Sequence, residues 1–205
     1  ASKPSYTISI IADGNGGALL GDRTTFVDEV EIRLVGTNLI VIDGTSVQTG
    51  EGLRLNAQGY LSDLTINNFS VGAGILISGG GTGSVIDHVM LGVTADGRLA
   101  APNRWGMRVA AQFNEVRDSV ISGNLSDGIN IGGDTAGDNL FVNNRIGTDV
   151  FGLGPIPNGS DGIQIVESSR NTIGPGNVIA YNTHDGVMIF GNDSVANRIT
   201  QNTIF

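Results

Sequence analysis

Short runs in which apolar and variable residues alternate recur along the chain, and each run begins with glycine. The unit reads Gly, apolar, variable, apolar, and its copies lie at 52–55, 74–77, 106–109, 128–131, 162–165 and 186–189. Alternation with a period of two is typical of a β-strand that has one face in a core. Successive glycines are 22, 32, 22, 34 and 24 residues apart, so short and long turns of the chain alternate.

A four-residue strand is not stable alone, whereas stacking successive coils about 4.8 Å apart pairs the backbone groups of each coil with those of its neighbours. The repeat therefore predicts an all-β solenoid, a single-stranded right-handed parallel β-helix with coils of 22–34 residues. Apolar residues of each unit should point inward. The variable positions should form one outward column, which consists of Arg54, Leu76, Arg108, Asn130, Gln164 and Met188.

Other apolar runs supply the remaining strands, and in the run at 85–91 we expect His88 to be an outward strand residue. Two similar insertions, at 91–103 and 146–158, should form loops on the same side of the solenoid because they lie two coils apart. Residues 1–50 are less regular, and we predict that they form an N-terminal cap or degenerate coils. Residues 51–205 then form the coils of the β-helix, with a truncated C-terminal end.

Composition narrows the class of protein. Hydrophobic residues make up 40% of the chain and aromatic residues only 5%, so Ile, Val and Leu must build the core. The net charge is −9 and the only lysine is Lys3, which argues against a nucleic-acid partner because such a surface needs clustered cations. No apolar run approaches the roughly 18 residues of a transmembrane helix, so we expect no membrane insertion. The chain has no cysteine and therefore no disulfide or thiolate metal site.

The Gly-Ile-x-Ile strands, the run Asn-Thr-Ile-Gly-Pro-Gly-Asn-Val-Ile at 171–179 and the loop Ile-Gly-Thr-Asp-x-x-Gly at 146–152 resemble one protein family. They are similar to right-handed parallel β-helix repeats of the pectin-lyase-like superfamily, in particular those of large bacterial secreted or surface proteins. The resemblance extends over residues 30–205. It implies secretion or a cell-surface location, and a scaffold that hosts lyases, hydrolases, epimerases, adhesins and spacers.

The resemblance implies that an active site would lie on the outward face of the repeated strands and on the adjoining loops. The outward column contains no carboxylate, so the acidic calcium ligands of pectate lyases and the aspartates of polygalacturonases are missing. We therefore predict a non-catalytic structural or glycan-contacting segment with a polysaccharide as its partner. The residues expected to contact the glycan are Arg54, Arg108, Trp105, Phe151, Asn130 and Gln164.

The alternative function is a polysaccharide-active enzyme of the uronate lyase or C5-epimerase type. Tyrosine, histidine and a carboxylate can remove and return a proton on a sugar ring. Tyr181, His184 and Asp185 combine these types, and Arg108 would complete the set. The Asp-Pro-His run of epimerases is absent, and His184 as an ordinary surface-turn residue is the simpler interpretation.

Asp127, Asp161 and Asp185 precede the repeat glycine in three consecutive coils. Carboxylates stacked about 5 Å apart repel unless a cation or backbone N–H donors neutralise them. One interpretation is a Ca²⁺ ladder, because hard cations prefer oxygen ligands. The other is that each Asp-Gly pair forms a turn and bonds locally.

The C-terminal end leads to a separate expectation. An open last coil would expose the edges of its strands, and such edges favour self-association of the chain.

Overall fold

The computed structural model describes residues 31–35, 39–133 and 135–205. Its strands, numbered along the chain, form three sheets, here called sheets I, II and III. Sheet I contains β3 (Leu53–Leu55), β6 (Ala73–Ile77), β9 (Trp105–Val109), β12 (Ile129–Gly132), β15 (Ile163–Val166) and β18 (Val187–Phe190). Sheet II contains β4 (Tyr60–Ser62), β7 (Val85–Asp87), β10 (Glu115–Arg117), β13 (Leu140–Val142), β16 (Thr172–Ile173) and β19 (Arg198–Ile199).

Sheet III contains β1 (Glu31–Val35), β2 (Leu39–Asp43), β5 (Leu64–Asn67), β8 (Met90–Leu91), β11 (Val120–Ile121), β14 (Arg145–Ile146), β17 (Val178–Ile179) and β20 (Thr203–Ile204). The chain visits sheets I, II and III in that order in each coil, and every pairing from β2 onward is parallel. Only β1 pairs antiparallel, with β2. This arrangement confirms the predicted all-β, right-handed parallel β-helix.

The inward positions of the repeat form the core. Ile75, Ile77, Ile129 and Ile131 have no exposed surface, and the corresponding residues of the other coils stack on them in register. Ile, Val and Leu dominate this continuous cluster, and Phe141 is among the few aromatic side chains inside it. The composition therefore predicted the kind of core correctly.

The apolar runs between the repeat units contain corners that the sequence prediction missed. The run at 85–91, for example, divides into β7 and β8, and His88 lies between them with a left-handed backbone (φ 51°). The prediction of His88 as a strand residue was therefore wrong. Asp63 and Asp118 occupy the equivalent corner of the neighbouring coils, with φ 57° and 50°. The first four coils and the sixth thus turn sharply from sheet II into sheet III at a single left-handed residue, whereas the fifth uses two left-handed glycines, Gly174 and Gly176.

Asparagine ladders follow the corners. At the corner between sheets II and III, Asn144 donates through Nδ2 to Oδ1 of Asn177, which in turn donates to Oδ1 of Asn202. The two other corners have corresponding ladders, made by Asn114, Asn139, Asn171 and Asn197 and by Asn124, Asn158 and Asn182. These amides satisfy buried backbone groups at the points where the strands are interrupted.

The repeat glycines stand in single file. A Cβ atom added to Gly128 would lie 2.7 Å from the carbonyl oxygen of Gly162, and one added to Gly162 would lie 2.6 Å from that of Gly186. The same Cβ atoms would also meet Nδ2 of Asn158 and Asn182 at 2.8 and 2.7 Å. Glycine is therefore required because the chain passes too close to the next coil and to the asparagine ladder.

The two insertions emerge from the same side of the solenoid, as predicted. The Val150 N–H donates to the Gly97 carbonyl oxygen at 3.0 Å, so the loops touch across two coils. Beneath them Val93 and Ile156 form a small apolar cluster with Val120 of sheet III. The loops therefore cover the outer face of sheet III, whereas Arg54 and Arg108 on the outer face of sheet I are exposed.

Most of the predicted N-terminal cap, residues 1–30 and 36–38, lies outside the described residues. Strands β1 and β2 extend sheet III by two strands beyond the first complete coil, since β2 stacks on β5 and β1 pairs with β2. At the other end β18, β19 and β20 give the sixth coil a strand in every sheet. The predicted domain boundary and C-terminal truncation stay predictions. No helix among the described residues is long and apolar enough to cross a membrane.

Candidate functional site

The outward column of sheet I is in register. Arg54 pairs with Leu76, Leu76 with Arg108, Arg108 with Asn130, and Asn130 with Gln164. The structure thus brings four of the six predicted glycan-contacting residues into one file. Arg54 also forms an exposed ion pair with Glu51 at 3.1 Å. The column carries arginine in its first and third coils, the buried Leu76 in the second, and amides in the next two.

Trp105 joins this column through two arginines. The guanidinium carbon of Arg104 lies 4.7 Å from the centre of the indole ring, and that of Arg108 lies 5.2 Å from it. Both distances are within the range of cation–π attraction. In the described part of the chain, neither arginine has a carboxylate within salt-bridge distance. The sequence analysis missed Arg104, although its position directly before Trp105 was a usable signal.

The acidic column borders the amides of sheet I. Oδ1 of Asp127 accepts the N–H of Asp161 at 3.3 Å, and Oδ1 of Asp161 accepts the N–H of Asp185 at 3.0 Å. The second oxygens of Asp127 and Asp161 accept hydrogen bonds from Asn130 and Gln164 at 3.3 and 3.1 Å. This geometry favours the local-bonding interpretation of the column, while calcium binding there stays a prediction.

The remaining predicted residues lie elsewhere. Phe151 is in the second loop, where Arg98 of the first loop packs over its ring at 5.3 Å. Tyr181 donates through its hydroxyl to the Leu153 carbonyl oxygen at 3.2 Å, and its ring packs edge-on against Phe205. Both contacts belong to the loop side of the solenoid.

The alternative catalytic set is not gathered in one place. No described contact links the side chains of Tyr181, His184 and Asp185, and both His184 and Asp185 are exposed. Arg108 belongs to the third coil and Asp185 to the sixth. Three strand spacings, roughly 14 Å, therefore separate their positions along the solenoid axis.

A polar cluster on the outer face of sheet II was not predicted. Oδ2 of Asp87 accepts hydrogen bonds from the Tyr60 hydroxyl at 2.8 Å and from Arg117 at 3.1 Å. Oδ1 of the same carboxylate lies 2.6 Å from Nδ1 of His88. Arg117 also donates to Glu115 at 3.0 Å. These residues come from three coils, so only the register of sheet II reveals the cluster.

Protonation of Asp87 is coupled to stability. Burial disfavours the carboxylate, but hydrogen bonds from Arg117, Tyr60 and His88 outweigh it and lower the pKa of Asp87 from 3.8 to about 2. A carboxyl group whose pKa is lower in the folded chain than in the unfolded chain stabilises the fold at pH values above its unfolded-state pKa. This stabilisation is lost as the pH falls through the folded-state pKa. Between about pH 4 and pH 2, we expect the free energy of unfolding to fall by about 2 kcal/mol more in the wild type than in Asp87→Asn. Urea unfolding at each pH measures this difference.

The control for this experiment is Asp63→Asn, which changes an exposed corner carboxylate with no described hydrogen-bond partner. Its loss of stability over the same pH interval should equal that of the wild type. If Asp87→Asn also follows the wild-type curve, the pKa of Asp87 is not depressed in the folded chain.

Comparison with known proteins identifies a similar fold. A point mutant of the periplasmic alginate epimerase AlgG aligns with a TM-score of 0.50 at 14% sequence identity, over 75% of this chain and 43% of that chain. The aligned part thus spans less than half of the epimerase chain. At this identity the similarity shows the fold alone. No protein-family model matches the sequence. No curated protein matches it either.

Proposed function

We propose that this chain is a non-catalytic β-helix segment of a bacterial secreted or cell-surface protein of the pectin-lyase-like type. Its sheet I face contacts an anionic polysaccharide. One observation supports this proposal most: Arg104 and Arg108 flank Trp105 on the open face, and neither has an ion pair among the described residues. Free cations beside an aromatic ring are unexpected on a chain with a net charge of −9.

The chemistry of this surface suits acidic sugars. An indole ring packs against the apolar face of a pyranose, while a guanidinium group binds a carboxylate through two parallel hydrogen bonds. Next to these groups, Asn130 and Gln164 supply amides that can bond to hydroxyl groups. The neighbouring carboxylates of Asp127 and Asp161 accept bonds from the protein itself, which limits their repulsion of an anionic ligand.

The solenoid also suits a polymer. Equivalent positions of successive coils are about 4.8 Å apart, which is of the order of the length of one sugar residue. A chain lying along the axis therefore presents a similar group to each coil. Arg54 in the first coil and Arg108 in the third would then meet carboxylates of different sugar residues.

We expect the double variant Arg104→Ala/Arg108→Ala to bind polygalacturonate at least about tenfold more weakly than the wild type, since it loses charge-assisted hydrogen bonds. The measurement is isothermal titration calorimetry, with fully methyl-esterified polygalacturonate as the uncharged reference. Arg198→Ala is the matched control, because Arg198 is an exposed arginine on sheet II that has no ion pair among the described residues. Its affinity should equal that of the wild type.

If the charged and esterified polymers bound equally well, or if Arg198→Ala weakened binding as much as the double variant does, sheet I would not be the binding surface for an anionic polysaccharide. Absence of binding to a panel of uronates would favour a structural spacer. Release of unsaturated chain ends, or exchange of the C5 proton with solvent during the incubation, would favour the enzymatic alternative. In that case Arg108, Tyr181, His184 and Asp185 are the residues to test first.

A further inference from the structure

The corner between sheets II and III carries a histidine flanked by two aspartates in three successive coils. Ser62, Asp87 and Arg117 pair in register, so the residues that follow them are equivalent corner positions of the first three coils. These residues are Asp63, His88 and Asp118, and all have the same left-handed backbone. An imidazole thus lies between two carboxylates along the edge of the solenoid.

The ligand atoms are close enough to share one ion. A ring nitrogen of His88, a carboxylate oxygen of Asp87 and a carboxylate oxygen of Asp118 all lie within 4.8 Å of one another. Asp118 has no described side-chain partner, so its carboxylate is available. The imidazole of His88 is 63% exposed, so an ion can reach it from solvent.

The cluster also has the charge that a divalent cation requires. Asp87, Asp118 and Glu115 contribute three negative charges and Arg117 one positive charge, which leaves a local excess of two negative charges at neutral pH. Tyr60 and Arg117 hold Oδ2 of Asp87, so this carboxylate is fixed in place and its Oδ1 faces His88. Asp87 therefore presents a fixed carboxylate oxygen beside the imidazole.

We propose that His88, Asp118 and Asp87 bind a divalent transition-metal ion of the Zn²⁺ type. Imidazole nitrogen favours Zn²⁺, Cu²⁺ or Ni²⁺, whereas Ca²⁺ takes only oxygen ligands and more of them than this corner offers. The hydrogen bond between His88 and Asp87 opens when the ion enters, and the imidazole binds in its neutral form. The site lies on the edge between sheets II and III and is independent of the proposed glycan surface on sheet I.

The test is calorimetric titration of the metal-free full chain with ZnCl₂ at neutral pH, in the presence of excess CaCl₂. We expect one Zn²⁺ per chain, with affinity at least about tenfold weaker in His88→Asn and in Asp118→Asn. Asparagine suits both positions, because Asn143 occupies the same corner of the fourth coil at φ 55°. Circular dichroism spectra of the variants should therefore match the wild type.

His184→Asn is the matched control, since it removes the other histidine of the chain, an exposed residue outside the cluster. Its Zn²⁺ affinity should equal that of the wild type. Zn²⁺ should also raise the melting temperature of the wild type and of His184→Asn but not of His88→Asn, because an ion that binds the folded state stabilises it. Wild-type binding weaker than about 1 mM, unchanged binding in His88→Asn, or loss of binding in His184→Asn would each overturn the proposal.

Discussion

Asn144→Ala should lower the free energy of unfolding by about 4 kcal/mol. The side chain is fully buried, and its Oδ1 accepts the N–H of Ser119 at 3.1 Å. Its Nδ2 donates to the Val116 carbonyl oxygen at 2.9 Å and to Oδ1 of Asn177 at 3.1 Å. Alanine leaves buried backbone groups of Ser119 and Val116 unpaired, at about 1–3 kcal/mol each. Urea unfolding followed by circular dichroism measures the change.

Asn192→Ala is the control for this variant, because Asn192 is exposed and has no described side-chain hydrogen bond. We expect it to change the stability by less than about 0.5 kcal/mol. Asn144→Ala combined with Asn177→Ala should destabilise by less than the sum of the single variants, because the two amides share a hydrogen bond. A loss below about 1 kcal/mol for Asn144→Ala would mean that the ladders contribute little to stability.

The asparagine ladders show where the sequence left two interpretations open, a ladder of amides or separate turns, and favoured the turns. Asn144, Asn177 and Asn202 are separated by 33 and 25 residues, intervals that resemble the alternation of long and short coils. That signal was present, but asparagine is also common in ordinary turns, and the turn interpretation accounts for each residue singly. A ladder becomes visible only when the corners of successive coils are aligned. The alternating strands, in contrast, were predicted because each one carries its own period of two.

The difference between patterns within one strand and alignment between coils also explains which candidate sites were predicted from the sequence. The direction of Arg54, Arg108, Asn130 and Gln164 follows from the alternation within each strand, so the sequence placed them in one column. The sheet II cluster escaped detection because the left-handed corner at His88 breaks the alternation. Asp87 and Tyr60 are 27 residues apart, and only the pairing of β4 with β7 brings them together. The alternation within a strand therefore predicts which face of the sheet a side chain lies on, whereas a cluster of side chains from several coils can be predicted only from the register in which the strands pair.

Gly106→Ala is expected to destabilise the chain by about 3 kcal/mol, although alanine has better intrinsic strand and helix preferences than glycine. The backbone at Gly106 is not left-handed, so the effect is steric. The added Cβ would lie 2.5 Å from the Gly128 carbonyl oxygen, 2.5 Å from Cγ2 of Ile121 and 2.8 Å from Nδ2 of Asn124. Relief would require the third and fourth coils to separate, which breaks the pairing of β9 with β12. Urea unfolding measures the loss.

Gly79→Ala provides the matched control, because a Cβ atom at Gly79 meets nothing within 4 Å and the backbone there is not left-handed. Its stability should stay within about 0.5 kcal/mol of the wild type. If Gly106→Ala were equally well tolerated, neighbouring coils would have to make room for the added Cβ atom without loss of stability. The repeat glycines would then serve only the turn that leads into each strand. A large loss at Gly106 alone would instead mean that close contact between a glycine backbone and an amide ladder sets the distance between coils.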